Sequence, residues 1–139
     1  MSNSSTTRDG LVAGAVAALL SGAPSTLHAL ATRAGPLEAT LAAGTLLAPR
    51  ARHPAVLLLA AVPAHIALSL GWALLLARVL PRRHTVAWAT AGGLAIAALD
   101  LGVVGRRFPR IRALPLLPQV LDHVAFGATV GAVLSARRR

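Results

Sequence analysis

Long apolar stretches separated by short polar or arginine-rich segments run through the whole sequence. Four stretches, at about 10–31, 54–80, 84–105 and 118–136, each approach or exceed the roughly 20 apolar residues that a helix needs to cross a bilayer core. From Pro54 to Ala77 no residue carries a fixed charge, and a run of this length suits lipid better than a soluble core. The pattern predicts an all-α fold, an integral membrane four-helix bundle.

Shorter segments flank and interrupt the predicted spans. Residues 1–9 are polar and are expected to be disordered. The segment at about 36–48 is bounded by prolines and is too short to cross a bilayer. We expect an interfacial or re-entrant amphipathic helix here, between the first two spans, and a further crossing is the alternative. The sequence thus predicts a single transmembrane helical domain at 10–136, followed by a basic end at 137–139.

The first apolar stretch has a second interpretation, as a secretory signal peptide. Arg8 precedes a short run of small apolar residues, which is typical of such signals. However, Asp9 adjoins the run, no clean small-x-small cleavage site follows before Thr26, and the apolar character resumes after Pro24. We therefore favour a retained membrane helix that kinks or restarts at Pro24, with Ser21 as a candidate cap.

The basic residues are all arginine, and they stand at the edges of the apolar stretches. The chain has 14 basic and four acidic residues, with a formal net charge of +10. Few aromatic residues are interleaved with the arginines, so we exclude nucleic acid as a partner. Arginine without lysine indicates a GC-rich genome, and we expect a bacterial inner-membrane protein. Four arginines of the third connection are expected to contact anionic lipid headgroups: Arg106, Arg107, Arg110 and Arg112.

The arginines do not decide how the four spans are oriented. Alternation of the spans places seven arginines on each side of the membrane, so the positive-inside rule favours neither orientation. One side carries Arg8, Arg78, Arg82, Arg83 and Arg137–Arg139, and the other Arg33, Arg50, Arg52, Arg106, Arg107, Arg110 and Arg112. The terminal arginine triplet favours both termini in the cytoplasm.

Small residues recur at four-residue spacing within the spans. Membrane helices associate where small residues let two backbones approach. The first span offers Gly10 and Gly14, the third Gly93, and the fourth Gly127 and Gly131. These stripes predict a compact bundle, formed within one chain, in a homo-oligomer or with a partner membrane protein.

Asp100 is the most informative polar residue within the spans. It lies about one turn from the end of the third apolar stretch, where the helix dipole disfavours a negative charge. A carboxylate in lipid is costly, so Asp100 should pair with Arg or His or remain protonated. An interfacial ion pair with Arg106, Arg107 or Arg112 is favoured over a role in carrying protons.

Two more polar residues fall at the start of the fourth stretch. We expect Asp122 in the first turn of that span, where the helix dipole and capping explain a carboxylate. His123 follows on the same stripe as Gly127, and it is placed to contact Asp100 across the helix pair.

Two further histidines lie in the first two spans. His65 is near the middle of the second, where a structural hydrogen bond between helices is favoured over ligand or proton binding, since Pro63 leaves a carbonyl unpaired nearby. His28 comes late in the first. Alternation of the spans puts His28, Asp100, Asp122 and His123 in one layer near one membrane face, with His65 deeper.

No catalytic motif accompanies these residues. The chain has no cysteine, no glycine-rich phosphate loop, no HExxH metal motif and no Gly-x-Ser-x-Gly motif, and we expect neither an enzyme nor a metal or cofactor site. The first hypothesis is a structural or partner-binding membrane protein. The alternative is a small transporter or proton-coupled permeation protein that uses Asp100 with His65 and His123. A cofactor-binding membrane subunit, with two histidines on a haem, is the third.

Overall fold

Four helical segments of the computed structural model are long and apolar enough to cross a membrane. The structure describes residues 3–138, in which helices predominate and no strand occurs. The candidate spans are Ser4–Ala31, Pro54–Val79, Thr85–Arg107 and Leu116–Arg137. The predicted all-α fold with four membrane helices is therefore confirmed. The architecture fits a multi-pass membrane protein.

Several of the spans are broken into shorter elements. In chain order these are α1 (Asn3–Leu20), α2 (Ala23–Ala31), α3 (Glu38–Gly44), α4 (Pro54–Val79), α5 (Thr85–Leu99), a π-helical turn (Asp100–Val104), a 3-10 turn (Gly105–Arg107), α6 (Pro109–Arg112) and α7 (Leu116–Arg137). The first span breaks after Leu20 because Pro24 lacks an amide hydrogen and suits only the first turn of a new helix. Pro63 is accommodated inside α4.

The bundle is built around α1 and α7. Helix α1 packs against both α4 and α7, and α7 packs against α5 along its length. Helices α4 and α5 pack against each other much less extensively. One contact between them is that of the Leu76 side chain with Gly92. The buried core is made mostly of small and branched apolar side chains, with one phenylalanine, and all four spans contribute to it: Ala13, Ala17, Ala73, Leu76, Ala77, Ile96, Phe126, Val130 and Leu134.

Glycines allow the closest helix approaches. A Cβ on Gly93 would overlap the carbonyl oxygen of His123, and a Cβ on Gly127 would overlap that of Ala89. Backbone contact of this kind joins α5 and α7. Gly10 and Gly14 bring α1 against α4, where a Cβ on Gly14 would lie 3.0 Å from the Ser69 carbonyl oxygen. Gly44, which the sequence did not indicate as a packing residue, lies at the interface between α3 and α4. A Cβ on Gly44 would overlap the carbonyl of Leu57 in α4.

Alternation of the spans gives the bundle two distinct faces. The terminal face carries residues 3–9, the α4–α5 connection and the end of α7. The loop face carries the segment between α2 and α4, including α3, and the segment from the π-helical turn to α7. Helices α3 and α6 meet on the loop face, where Arg110 Nη2 lies 3.1 Å from Glu38 Oε2.

The beginning of the chain differs from the expectation of disorder at 1–9. Helix α1 begins at Asn3, so residues 3–9 are helical, whereas residues 1 and 2 lie outside the described part. Asp9 is buried and accepts a hydrogen bond from Arg137 Nε at 2.7 Å. This pair joins the first and last spans. Residues 3–9 are polar, and their sequence alone does not favour an ordered helix, so the contact with α7 is a physical reason for their order.

Candidate functional site

Polar side chains from α2, α5 and α7 meet close to the loop face. We call Ser25, Asp100, Asp122 and His123 the polar layer. His123 Nε2 lies 3.5 Å from Asp100 Oδ2, and both side chains are half-buried. The expected contact between Asp100 and His123 across the helix pair is thus present. Asp100 therefore uses an imidazole of α7 as its ion-pair partner.

The arginines first expected to pair with Asp100 lie elsewhere. Arg106 and Arg107 belong to the 3-10 turn, and Arg112 ends α6. All three are exposed on the loop face, which suits contact with headgroups. The expectation of a pair between Asp100 and one of these arginines was therefore wrong, because the turns after Asp100 carry the guanidinium groups outwards while α7 brings His123 alongside.

The second ring nitrogen of His123 fixes how the imidazole is protonated. His123 Nδ1 lies 2.8 Å from the carbonyl oxygen of Gln119, one turn earlier in α7. A carbonyl can only accept, so Nδ1 carries a hydrogen. The opposite nitrogen faces a carboxylate, which also accepts unless it is protonated. A favourable contact between Asp100 and His123 therefore requires one more proton, on Nε2 or on the carboxyl group.

Close packing of α5 on α7 brings this pair together. Gly93 lies two turns before Asp100 on α5, and it touches the backbone of α7 at His123 itself. Asp100 is also the first residue of the π-helical turn, and its carbonyl accepts from the amide of Gly105, five residues later. Such wide turns are often found at functional sites. Here the turn ends the α-helical part of the span directly at the carboxylate.

Asp122 has a different role from the one predicted. Helix α7 begins at Leu116, so Asp122 lies in its second turn and does not cap its own helix. Its Oδ1 accepts a hydrogen bond from the backbone amide of Ser25 at 2.9 Å. Helix α2 begins after Gly22 and has no side-chain cap of its own, so Ser21 is not the cap. Asp122, which belongs to α7, therefore supplies the hydrogen-bond acceptor for a backbone amide in the first turn of α2.

The two other candidate histidines, His65 and His28, differ in their contacts. His65 Nε2 is 2.8 Å from the carbonyl oxygen of Ala18, near the end of α1. The imidazole donates to this carbonyl, and it joins α4 to α1 at the break in the first span. His28 is half-buried on α2. Within the described residues, its side chain makes no hydrogen bond or ion pair.

The bond between His65 and Ala18 gives a first testable prediction. His65→Leu should lower the free energy of unfolding by about 1 kcal/mol, because a carbonyl in lipid loses its donor. His28→Leu is the matched control, a histidine replaced in a neighbouring helix without loss of a bond. Thermal unfolding of both variants in the same detergent measures the difference. Equal losses in the two variants would mean that the hydrogen bond contributes nothing.

The polar layer does not form a recognisable metal site. Within residues 3–138, no group of three or more His, Asp or Glu side chains is arranged to hold a metal ion. The side chains of Asp100, Asp122 and His123 instead contact protein groups from three helices.

Comparison with known proteins gives no family for the chain. No protein-family model, curated protein or solved structure matches it. A function is therefore argued from the residues of this chain alone.

Proposed function

We propose that the chain is a bacterial inner-membrane protein with a structural or partner-binding role and no enzymatic activity. The observation that carries the proposal is that each acid of the polar layer already has a partner in the chain. Asp100 faces His123, and Asp122 accepts from the Ser25 amide. Polar groups in lipid that are satisfied in this way serve to hold helices in register.

The composition of the bundle interior supports a structural role over a permeation path. Small and branched apolar side chains fill the core. Those of α1, α4 and the second half of α7 lie between the polar layer and the terminal face: Ala13, Ala17, Ala73, Leu76, Val130 and Leu134. A proton path would need titratable groups or water at this level. The polar layer thus lies at one end of the bundle. This position is expected if its side chains hold the ends of the helices together.

A partner is part of the proposal. Ala87, Ala91 and Ala95 follow one another at four-residue spacing on α5, and all three are exposed. Small residues are the ones that membrane helices use at close contacts, so a second copy of the chain or another membrane protein would pack here. We further propose that the terminal face lies in the cytoplasm, and that Arg106, Arg107, Arg110 and Arg112 meet anionic headgroups on the other side.

Replacement of Asp100 tests the proposal. Asp100→Ala removes the contact with His123 and should lower the free energy of unfolding by at least about 0.6 kcal/mol, the average for polar contacts between membrane helices. The parent protein in liposomes should carry no proton flux above that of empty vesicles. Glu38→Ala is the matched control, an acid paired with Arg110 but exposed on the loop face, and it should change stability less.

One observation favours transport as a second candidate. A cleft of about 230 Å³ is lined by Leu101, which follows Asp100 in the chain, and by Gln119, whose carbonyl oxygen contacts His123. Since the Asp100–His123 pair needs an additional proton, Asp100 could carry it, with His123 and His65 beside the path. Under this alternative the parent protein shows pH-dependent flux in liposomes, and Asp100→Asn remains folded but abolishes that flux. Flux of this kind would overturn the structural proposal.

A further inference from the structure

A cleft of about 710 Å³ opens on the terminal face, on the opposite side of the bundle from the polar layer. Its size falls within the range of small-molecule sites. The residues that line it are all of polar or charged types: Ser4, Ser5, Arg8, Asp9, Arg82, Arg137 and Arg138. Three separate parts of the chain contribute to it, namely the first turns of α1, the connection between α4 and α5, and the end of α7. Folding of the bundle therefore assembles the cleft.

Arg137 and Arg138 are held in place by contacts with other parts of the protein. Arg137 donates from Nε to Asp9 at 2.7 Å. Arg138 donates to the carbonyl oxygen of Leu80 at 3.4 Å and also to that of Ala77, both at the end of α4. Each guanidinium has five N–H donors, so both retain donors for another ligand. Anchored arginines lose less side-chain freedom when they bind, which favours a site over a loose basic surface.

The charges around the cleft are unbalanced. Among the described residues, four guanidinium groups line it together with one carboxylate, that of Asp9. Burial lowers the pKa of Arg138, the charge of Arg82 lowers it further, and Asp9 acts in the opposite direction. The group stays protonated because the ordinary pKa of arginine is so high. Like charges held this close repel each other, and an anion between them would relieve the repulsion.

We propose that the terminal-face cleft binds a phosphate-bearing anion, either the headgroup of an acidic lipid or a free phosphorylated molecule. Guanidinium groups match phosphate oxygens in pairs of parallel hydrogen bonds, and four of them line the described part of this cleft. The cleft lies at the end of the membrane spans, where lipid phosphates lie as well. This site is separate from the polar layer, so it does not depend on the proposed structural role.

Binding to the intact protein and to two double variants tests the site. Native mass spectrometry in detergent would measure retention of phosphatidylglycerol, with phosphatidylcholine as the neutral-headgroup comparison and inorganic pyrophosphate as the free anion. The test variant is Arg8→Gln with Arg82→Gln, which leaves the anchored Arg137 and Arg138 in place. The control is Arg50→Gln with Arg52→Gln, which removes the same charge from two exposed arginines on the loop face.

We expect the test variant to bind at least about tenfold more weakly, because charge-assisted hydrogen bonds are lost, and the control to bind like the parent. Preference for phosphatidylglycerol over pyrophosphate identifies a lipid site, and the reverse identifies a soluble ligand. If both variants bind equally weakly, the effect comes from the overall charge of the protein, and the proposal is overturned. Undiminished binding in the test variant would also overturn it. Arg8→Gln alone, at an exposed position, should show a smaller loss if the double variant does not fold.

Discussion

Gly93→Ala is expected to destabilise the bundle by about 1–3 kcal/mol, although alanine is the better helix former. The added Cβ would overlap the carbonyl oxygen of His123, a backbone atom that cannot move without separating α5 from α7. The same separation would pull His123 away from Asp100. Thermal unfolding in detergent, followed by circular dichroism, measures the loss.

Gly71→Ala is the matched control for the Gly93 variant. Gly71 lies inside α4 and is exposed, and a Cβ there would meet nothing within 4 Å. This control should be neutral or slightly stabilising, since glycine is a poor helix former. If Gly93→Ala and Gly71→Ala unfold at the same temperature, α5 and α7 do not pack at Gly93.

Asp122→Ala is expected to lower the free energy of unfolding by about 1–3 kcal/mol, because the amide of Ser25 loses its acceptor. The amide lies at the start of α2, and Ser25 is buried, so water would not readily replace the carboxylate. Asp122→Asn keeps a side-chain oxygen at the same position and should cost less. Chemical unfolding of the two variants in one detergent separates these effects.

The comparison between the two Asp122 variants distinguishes capping from charge. If the negative charge itself were needed, the asparagine variant would be as unstable as the alanine variant. Retention of most of the stability by asparagine means that the hydrogen bond to Ser25 is what holds α2 against α7. No effect in either variant would contradict the capping role.

The spans could be predicted from the sequence because lipid imposes a simple length and composition rule. Hydropathy does not determine where a helix begins, and that limit explains the error at Asp122. Placing the start of the last span at Pro118 or Gln119 puts Asp122 in about the first turn. The observed start at Leu116 moves it into the second, where it faces α2. Proline is tolerated in the first turn, so Pro118 does not mark the first residue.

The partner of a polar residue could be predicted only where the depth of that residue in the membrane left few candidate partners. The shared level of Asp100 and His123 follows from alternation of the spans, and the structure brings the two together. The arginines near Asp100 in sequence were competing partners, and the π-helical turn that carries them away has no evident local sequence signal. The helix at the beginning of the chain likewise has a distant contact, because Asp9 accepts a hydrogen bond from Arg137, 128 residues away.

A double-mutant cycle on Asp100 and His123 tests most directly whether the polar layer holds the helices together. Asp100→Ala, His123→Ala and the double variant, which leave neither side chain able to form a hydrogen bond, would be compared with the parent by unfolding in a bilayer-mimetic detergent. We predict a coupling free energy of at least about 0.6 kcal/mol, the average for polar contacts between membrane helices, for which the maximum is about 1.7 kcal/mol. Losses that add to within about 0.3 kcal/mol would show that the two side chains do not interact, and would contradict a structural role for the pair.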